Sequence, residues 1–233
     1  MKKIYYMAIA FLAAFSACTL VEHEMQEPEL EHMELQAVLE SGDDTRTHFD
    51  GQENGIYYPY WSGSELIAVY SDKSSLPGRF SFVSGKDTRE ATFSVPVAKG
   101  RHYAVYPYEN AVSLKEGVLT LTLPAVQTYS ADSFGEGAFP MLAVSDSQKL
   151  QFRNLCSVLR LSMTGKTSIQ SIVFTAHHPS SFVSGQGTVR TDQGDHPVLV
   201  MSEGGSVSVR LDCNDVMLSE TVPTDFFIVI PLL

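Results

Sequence analysis

The chain has 233 residues, 44% of them hydrophobic, which is enough to bury one large core or two small ones. Its formal net charge is −11, and eleven acidic residues stand between Glu22 and Glu53 against the single Arg46, so the remainder is close to neutral. A basic footprint for DNA or RNA is missing, which removes nucleic acid from the expected partners.

The chain opens "MKKIYYMAIAFLAAFSACTL": two lysines, an apolar run from Ile4 to Phe15, then Ser16 and Ala17 before Cys18. A membrane-spanning helix needs about 20 apolar residues, so this run is too short to be a lasting anchor. The pattern is that of a secretory signal, residues 1–17, ending in a lipidation box at Cys18. An ordinary signal peptide with a cysteine near its cut site is the competing reading, and Phe15 stands where bacterial lipoproteins usually carry leucine. An acylated Cys18 would hold the mature chain on a membrane, each buried CH₂ contributing ~0.8 kcal/mol. Residues 18–32 follow as an acidic tether, in which Glu22 and Glu24 suit direction to the outer surface.

Next comes "HMELQAVLE", whose Met33, Leu35, Ala37 and Leu39 share one face if the segment is a strand. A short amphipathic helix is the alternative, because Glu, Leu and Met favour helix. The polar, turn-rich "SGDDTRTHFDG" after it places Arg46 where proteases cut. "IYYPYW" then gathers Tyr57, Tyr58, Tyr60 and Trp61, which serve as core material or, if exposed, as a platform for sugar rings.

From here on, apolar residues recur at every second position in almost every segment. "GVLTLTLP" sets Leu119, Leu121 and Leu123 against Thr120 and Thr122, and "SVSVRLDC" sets Val207, Val209, Leu211 and Cys213 against Ser208, Arg210 and Asp212. Turn clusters such as "SGKD", "FGEG" and "SEGG" punctuate them, and Pro96, Pro107, Pro124 and Pro140 suit strand ends or edges. The expected fold is all-β, an antiparallel β-sandwich in two tandem domains, 33–147 and 148–233, joined at the polar "SDSQK". The second domain ends on "FFIVIPLL", and a sandwich that stops on its most apolar strand reads as incomplete.

The search for chemistry finds little. Nucleophile elbows, phosphate loops and HExxH motifs are missing, and no CxxC pair supports a zinc or redox site. His177 and His178 are adjacent and point to opposite faces of any strand; Asp192 and Asp195 in "TDQGD" suit a polar hairpin better than calcium. Cys156 and Cys213 remain as partners for a disulfide or as two buried thiols. The expectation is a non-enzyme without cofactor or metal.

"TRTHF", "YWSGSELIAVYSD", "YAVYPY", "LTLPAVQ", "FPMLAVSDSQKLQFRNLCSVLRLSMTG" and "SIQSIVF", in this order, resemble the fimbrillin-like lipoproteins of Bacteroidetes, the Mfa-like group. The resemblance runs from about Thr45 to Leu233 and departs at Ser64-Glu65, where Gly-Asp is common. It implies two transthyretin-like domains, export to the outer membrane as a lipoprotein, and assembly with other fimbrial subunits into surface pili. It also implies cleavage by an arginine-specific protease after the first strand, at the position matched by Arg46. On that reading Met33, Leu35, Ala37 and Leu39 plug a groove until cleavage frees it for another subunit's strand. A glycan-binding surface lipoprotein using the "IYYPYW" rings is the alternative, and an adhesion ligand is not specified by either.

Overall fold

The computed structural model describes residues 30–39, 49–53, 56–72, 74–98, 100–194 and 196–232. In chain order its strands are β1 (Leu30–Leu39), β2 (Phe49–Glu53), β3 (Ile56–Pro59), β4 (Leu66–Ser71), β5 (Ser74–Ser84) and β6 (Glu90–Ala98). Then follow β7 (His102–Tyr106), β8 (Ala111–Lys115), β9 (Val118–Leu123), β10 (Val126–Thr128), β11 (Met141–Ser145) and β12 (Lys149–Asn154). The last six are β13 (Cys156–Met163), β14 (Ser168–Thr175), β15 (Gly185–Arg190), β16 (Val200–Met201), β17 (Ser208–Met217) and β18 (Thr224–Pro231). A 3₁₀ turn at Tyr108–Asn110 is the sole helical element among the described residues. The all-β architecture expected from period-two alternation therefore forms, and most of its pairs are antiparallel.

Seven strands close into a barrel in the order β1–β12–β11–β7–β4–β5–β6, and β1 completes the circle by pairing on both sides. It runs antiparallel to β6, from Leu30 opposite Ala98 to Val38 opposite Glu90, and parallel to β12, from Gln36 opposite Lys149 to Leu39 opposite Phe152. The segment is thus a strand and not a helix, and it starts earlier than expected: Leu30, Glu31 and His32, counted with the tether, are already paired to β6. Pro96 lies on β6 beyond its last pairing with β5, where the missing N–H removes no ladder bond on that side. In the turn between β5 and β6 the "SGKD" glycine is required by its geometry. Gly85 has φ +101°, and a Cβ there would sit 2.1 Å from the Glu90 carbonyl oxygen.

The joint expected between residues 147 and 148 falls elsewhere. "SDSQK" is the turn of the β11–β12 hairpin, and β12 belongs to the barrel between β1 and β11. The change of sheet comes after Asn154, because β13 pairs with β18 and with no barrel strand. A polar tract between apolar strands has the same composition whether it closes a hairpin or links two units, so composition alone does not place the joint.

The remaining strands form a four-stranded sheet (β16–β15–β9–β8), a three-stranded sheet (β10–β17–β14) and two pairs, β13–β18 and β2–β3. Two apolar cores result. The larger gathers the barrel interior with Leu119, Leu121 and Leu123 of β9; the smaller gathers Val209, Leu211 and Cys213 of β17. Strand β18 lies between them: Phe227 and Val229 belong to the first core, Phe226 and Ile228 to the second. Burial on both faces explains why "FFIVIP" carries no polar alternation. Gln127 secures the same strand. Its side-chain Nε2 donates to the Val229 carbonyl at 2.8 Å and its Oε1 accepts the Val229 N–H at 2.9 Å, so one buried side chain replaces a ladder partner.

Candidate functional site

The face of β1 that the alternation pointed inward is the inward face. Leu35 and Ala37 are fully buried, Leu39 is 2% exposed, and Met33 is half-buried against the same core, whereas Glu34 and Gln36 are exposed. Paired residues on adjacent strands share a face, so each buried residue of β1 has known neighbours. Leu35 stands opposite Phe93, Ala37 opposite Ala91 on one side and Leu150 on the other, and Leu39 opposite Phe152. The backbone is held on both sides as well: the Gln36 N–H donates to Gln148 and the Leu39 N–H to Arg89 carbonyl oxygens, at 2.8 and 3.0 Å.

The centre of this groove is filled by Trp61. Its indole makes edge contacts with Phe93, Tyr106 and Phe152 at centroid distances of 5.1, 5.7 and 5.8 Å. The ring is fully buried, so it is core and cannot stack on a sugar; Tyr60 is half-buried, and the side chains of Tyr57 and Tyr58 lie outside the described residues. Its main chain is pinned to the β5–β6 turn, donating to the Thr88 carbonyl at 2.9 Å and accepting the Asp87 N–H at 2.7 Å. Glu65, 4% exposed, closes the loop that follows: its carboxylate accepts the N–H of Ser62 and, at 2.8 Å, that of Gly63. Tyr106 stands beside it, its phenol pushed up by burial first and then by the charges of Glu65 and Glu136.

Sequence reasoning found β1 and its four inward residues but missed what they pack on. Trp61, Ala91, Phe93 and Phe152 come from three other segments, and pairing across the chain carries no local signal. "WSGSE" was legible in retrospect, since a carboxylate three residues after a serine in a Gly-Ser turn is placed to cap that turn. Cys18 and Arg46, the expected lipidation and processing positions, lie outside the described residues, as do most of the tether and His48.

The other candidates are distributed as follows. Cys156 and Cys213 are both free and buried, one in each core, and burial raises both thiols above their usual range. His178 is exposed in its turn, its Nδ1 accepting the Ser180 N–H, and Asp192 is paired with Arg190 at 2.6 Å; Asp195 lies outside the described residues. Among the described residues no three His, Cys, Asp or Glu side chains gather as a metal site. His102, at the barrel end of β7, is 3% exposed with both ring nitrogens buried and without a hydrogen-bond partner. Clefts open on the surface, two of them lined by several charged residues. One of about 420 Å³ is lined by Glu65, Glu109, Glu136 and Tyr106; the other, of about 240 Å³, by Arg101, Arg153, Arg190 and Asp192. The acidic cleft is committed to its own scaffold, because Glu65 holds backbone donors and Glu136 accepts the Ser64 hydroxyl at 3.2 Å.

No family model, curated protein or solved structure matches this chain.

Proposed function

We propose that the protein is a fimbrial structural or accessory subunit, exported as a lipoprotein on Cys18 and displayed at the outer membrane, in which β1 is a removable plug. Cleavage at Arg46 frees β1, and a strand of another subunit takes its place. One observation carries the reading: β1 is the first strand among the described residues, and it is also the strand that closes the barrel through pairs on both flanks. A single cut among residues 40–48 therefore separates it covalently from the six other barrel strands while leaving those six connected.

Removing β1 exposes two strand edges and a groove lined by Phe93, Phe152 and Trp61, a template that pairs readily with an extended chain. Three fully buried side chains hold the plug, at roughly 1.5–3 kcal/mol each for the two leucines, so the uncut chain stays closed. The lipid on Cys18 is carried by the piece that the cut releases, so processing also frees the body from its anchor. An enzymatic role and a glycan platform have less support, the latter because its tryptophan is core.

The test is expression of the wild type, Cys18→Ala and Arg46→Ala in the native type of envelope, followed by fractionation and electron microscopy of surface filaments. Membrane-bound precursor with Arg46→Ala and no filaments is the expected result. Filaments equal to wild type with Arg46→Ala, or membrane retention with Cys18→Ala, would count against the reading.

A further inference from the structure

We propose that the alanine at position 37 is a register key: the groove between β6 and β12 accepts another subunit's strand only if that strand places a small residue between two large apolar ones on its inward face. The proposal rests on the strand-exchange reading above and adds which strand fits.

Alternation alone cannot fix a register. A strand that slips by two residues keeps every apolar side chain inward and every backbone bond in kind, so something other than polarity must distinguish the rows. In this groove the rows differ in size. The Leu35 row faces Phe93 on β6, the Leu39 row faces Phe152 on β12, and the Ala37 row between them faces Ala91 and Leu150. Phe93 and Phe152 therefore flank β1 on opposite sides and in opposite rows. An indole in edge contact with both, at 5.1 and 5.8 Å, joins the two outer rows, and the Ala37 row is the one between them. In that row the two smallest side chains, Ala37 and Ala91, face each other, fully and nearly fully buried.

The indole cannot withdraw to admit a larger side chain. Tyr106 meets it at 5.7 Å, and the Trp61 main chain is bonded in both directions to Thr88 and Asp87. A two-residue slip in either direction would bring Leu35 or Leu39 into the Ala37 row, between the two rows that the ring joins. Overpacking of that kind costs about 1–3 kcal/mol, so the same alanine pins the resident strand and rejects incoming strands of the wrong pattern. On the outward face Glu34 and Gln36 are solvent-exposed and Val38 is half-buried, so that face offers no fully buried row to read. The partner is therefore an extended segment whose inward face reads large, small, large, as Leu35, Ala37 and Leu39 do, with alanine or glycine in the central place.

The experiment uses the full chain cut once within residues 40–48, at Arg46 or at an inserted protease site, with β1 still seated. Four ten-residue peptides compete for the groove: the β1 sequence "LEHMELQAVL", its Ala37→Leu form, its Gln36→Leu form, and a composition-matched form carrying Ala37→Leu with Leu39→Ala, which has no small residue between two large ones on its inward face in any register. Native mass spectrometry reads displacement of the N-terminal fragment. The parent and Gln36→Leu peptides are expected to displace it equally, and the other two about ten-fold or more less well, since ten-fold corresponds to about 1.4 kcal/mol. Equal displacement by the parent and Ala37→Leu peptides overturns the key while leaving strand exchange standing. Loss with Gln36→Leu as large as with Ala37→Leu also overturns it, because added bulk and not the inward row then decides. If no peptide enters a cut chain that remains folded, strand exchange itself fails and the key with it.

Discussion

Replacing Leu35 with alanine tests how firmly β1 is seated. Leu35 is fully buried, stands opposite Phe93, and so lies in the row where Phe93 meets the Trp61 ring at 5.1 Å. Leucine-to-alanine changes in cores cost about 2–5 kcal/mol, the larger values where the surroundings cannot collapse into the void. Here they cannot collapse easily, since β1 is bonded on both flanks and Trp61 is held by its backbone. We expect about 3–4 kcal/mol of destabilisation, on the argument that the cavity persists. Urea unfolding followed by fluorescence of Trp61, the single tryptophan, measures it with a probe inside the same groove. Glu34→Ala, on the exposed face of the same strand, is the control and should change stability by no more than about 0.5 kcal/mol. A Leu35→Ala loss below about 1 kcal/mol would refute the claim that β1 is an integral barrel strand.

Further expectations follow from single contacts. Glu65→Ala should cost about 2–4 kcal/mol, because it strands the Ser62 and Gly63 N–H groups, and the Trp61 emission should shift; an unchanged midpoint and spectrum would show that the loop is held by other means. Gln127→Leu should cost about 2–3 kcal/mol by leaving the Val229 N–H and C=O unpaired in the core, with urea denaturation as the check. Burial opposes the Asp225 carboxylate, but Arg160 at 2.6 Å and the Ser162 hydroxyl outweigh it and hold the carboxyl below its usual range. A carboxyl lowered by folding contributes stability above its unfolded pKa of about 3.9, and that contribution is lost as pH falls through this range. Asp225→Asn should therefore flatten the loss of stability between about pH 5 and pH 3, and equal slopes for the two proteins would contradict it. Cys156 and Cys213 should resist iodoacetamide in the folded protein and both react in urea, with peptide mapping showing each as a thiol.

The strands were legible because one face of each is buried. Leu119, Leu121 and Leu123 alternate with threonines since β9 covers the larger core with one side only, and β1 alternates for the same reason. Closure of the barrel was not legible. The parallel pair between β1 and β12 joins residues more than a hundred positions apart, and nothing in "HMELQAVLE" or "LQFRN" specifies the other. The buried role of Gln127 was hidden too: in "AVQTY" it reads as one more polar residue of an alternating strand, and its bonds to Val229 exist only after the sheets meet. Trp61 was ambiguous by nature, since a tryptophan among tyrosines has the same sequence signature in a core as on a sugar platform. The groove's specificity was the least visible feature. The alternation marks Ala37 as inward, but its smallness gains meaning only from a ring supplied by another segment.

The most direct measurement of the central claim mixes two preparations of the full chain, each cut once within residues 40–48, one natural in isotopes and one uniformly ¹⁵N-labelled. Native mass spectrometry then follows the pairing of N-terminal fragments with barrel bodies over time. If β1 is a removable strand whose site accepts the strand of another copy, hybrids of light fragment with heavy body, and the reverse, should accumulate to the statistical ratio. Bodies that stay folded for days, each retaining its own fragment with no hybrids formed, would contradict the account.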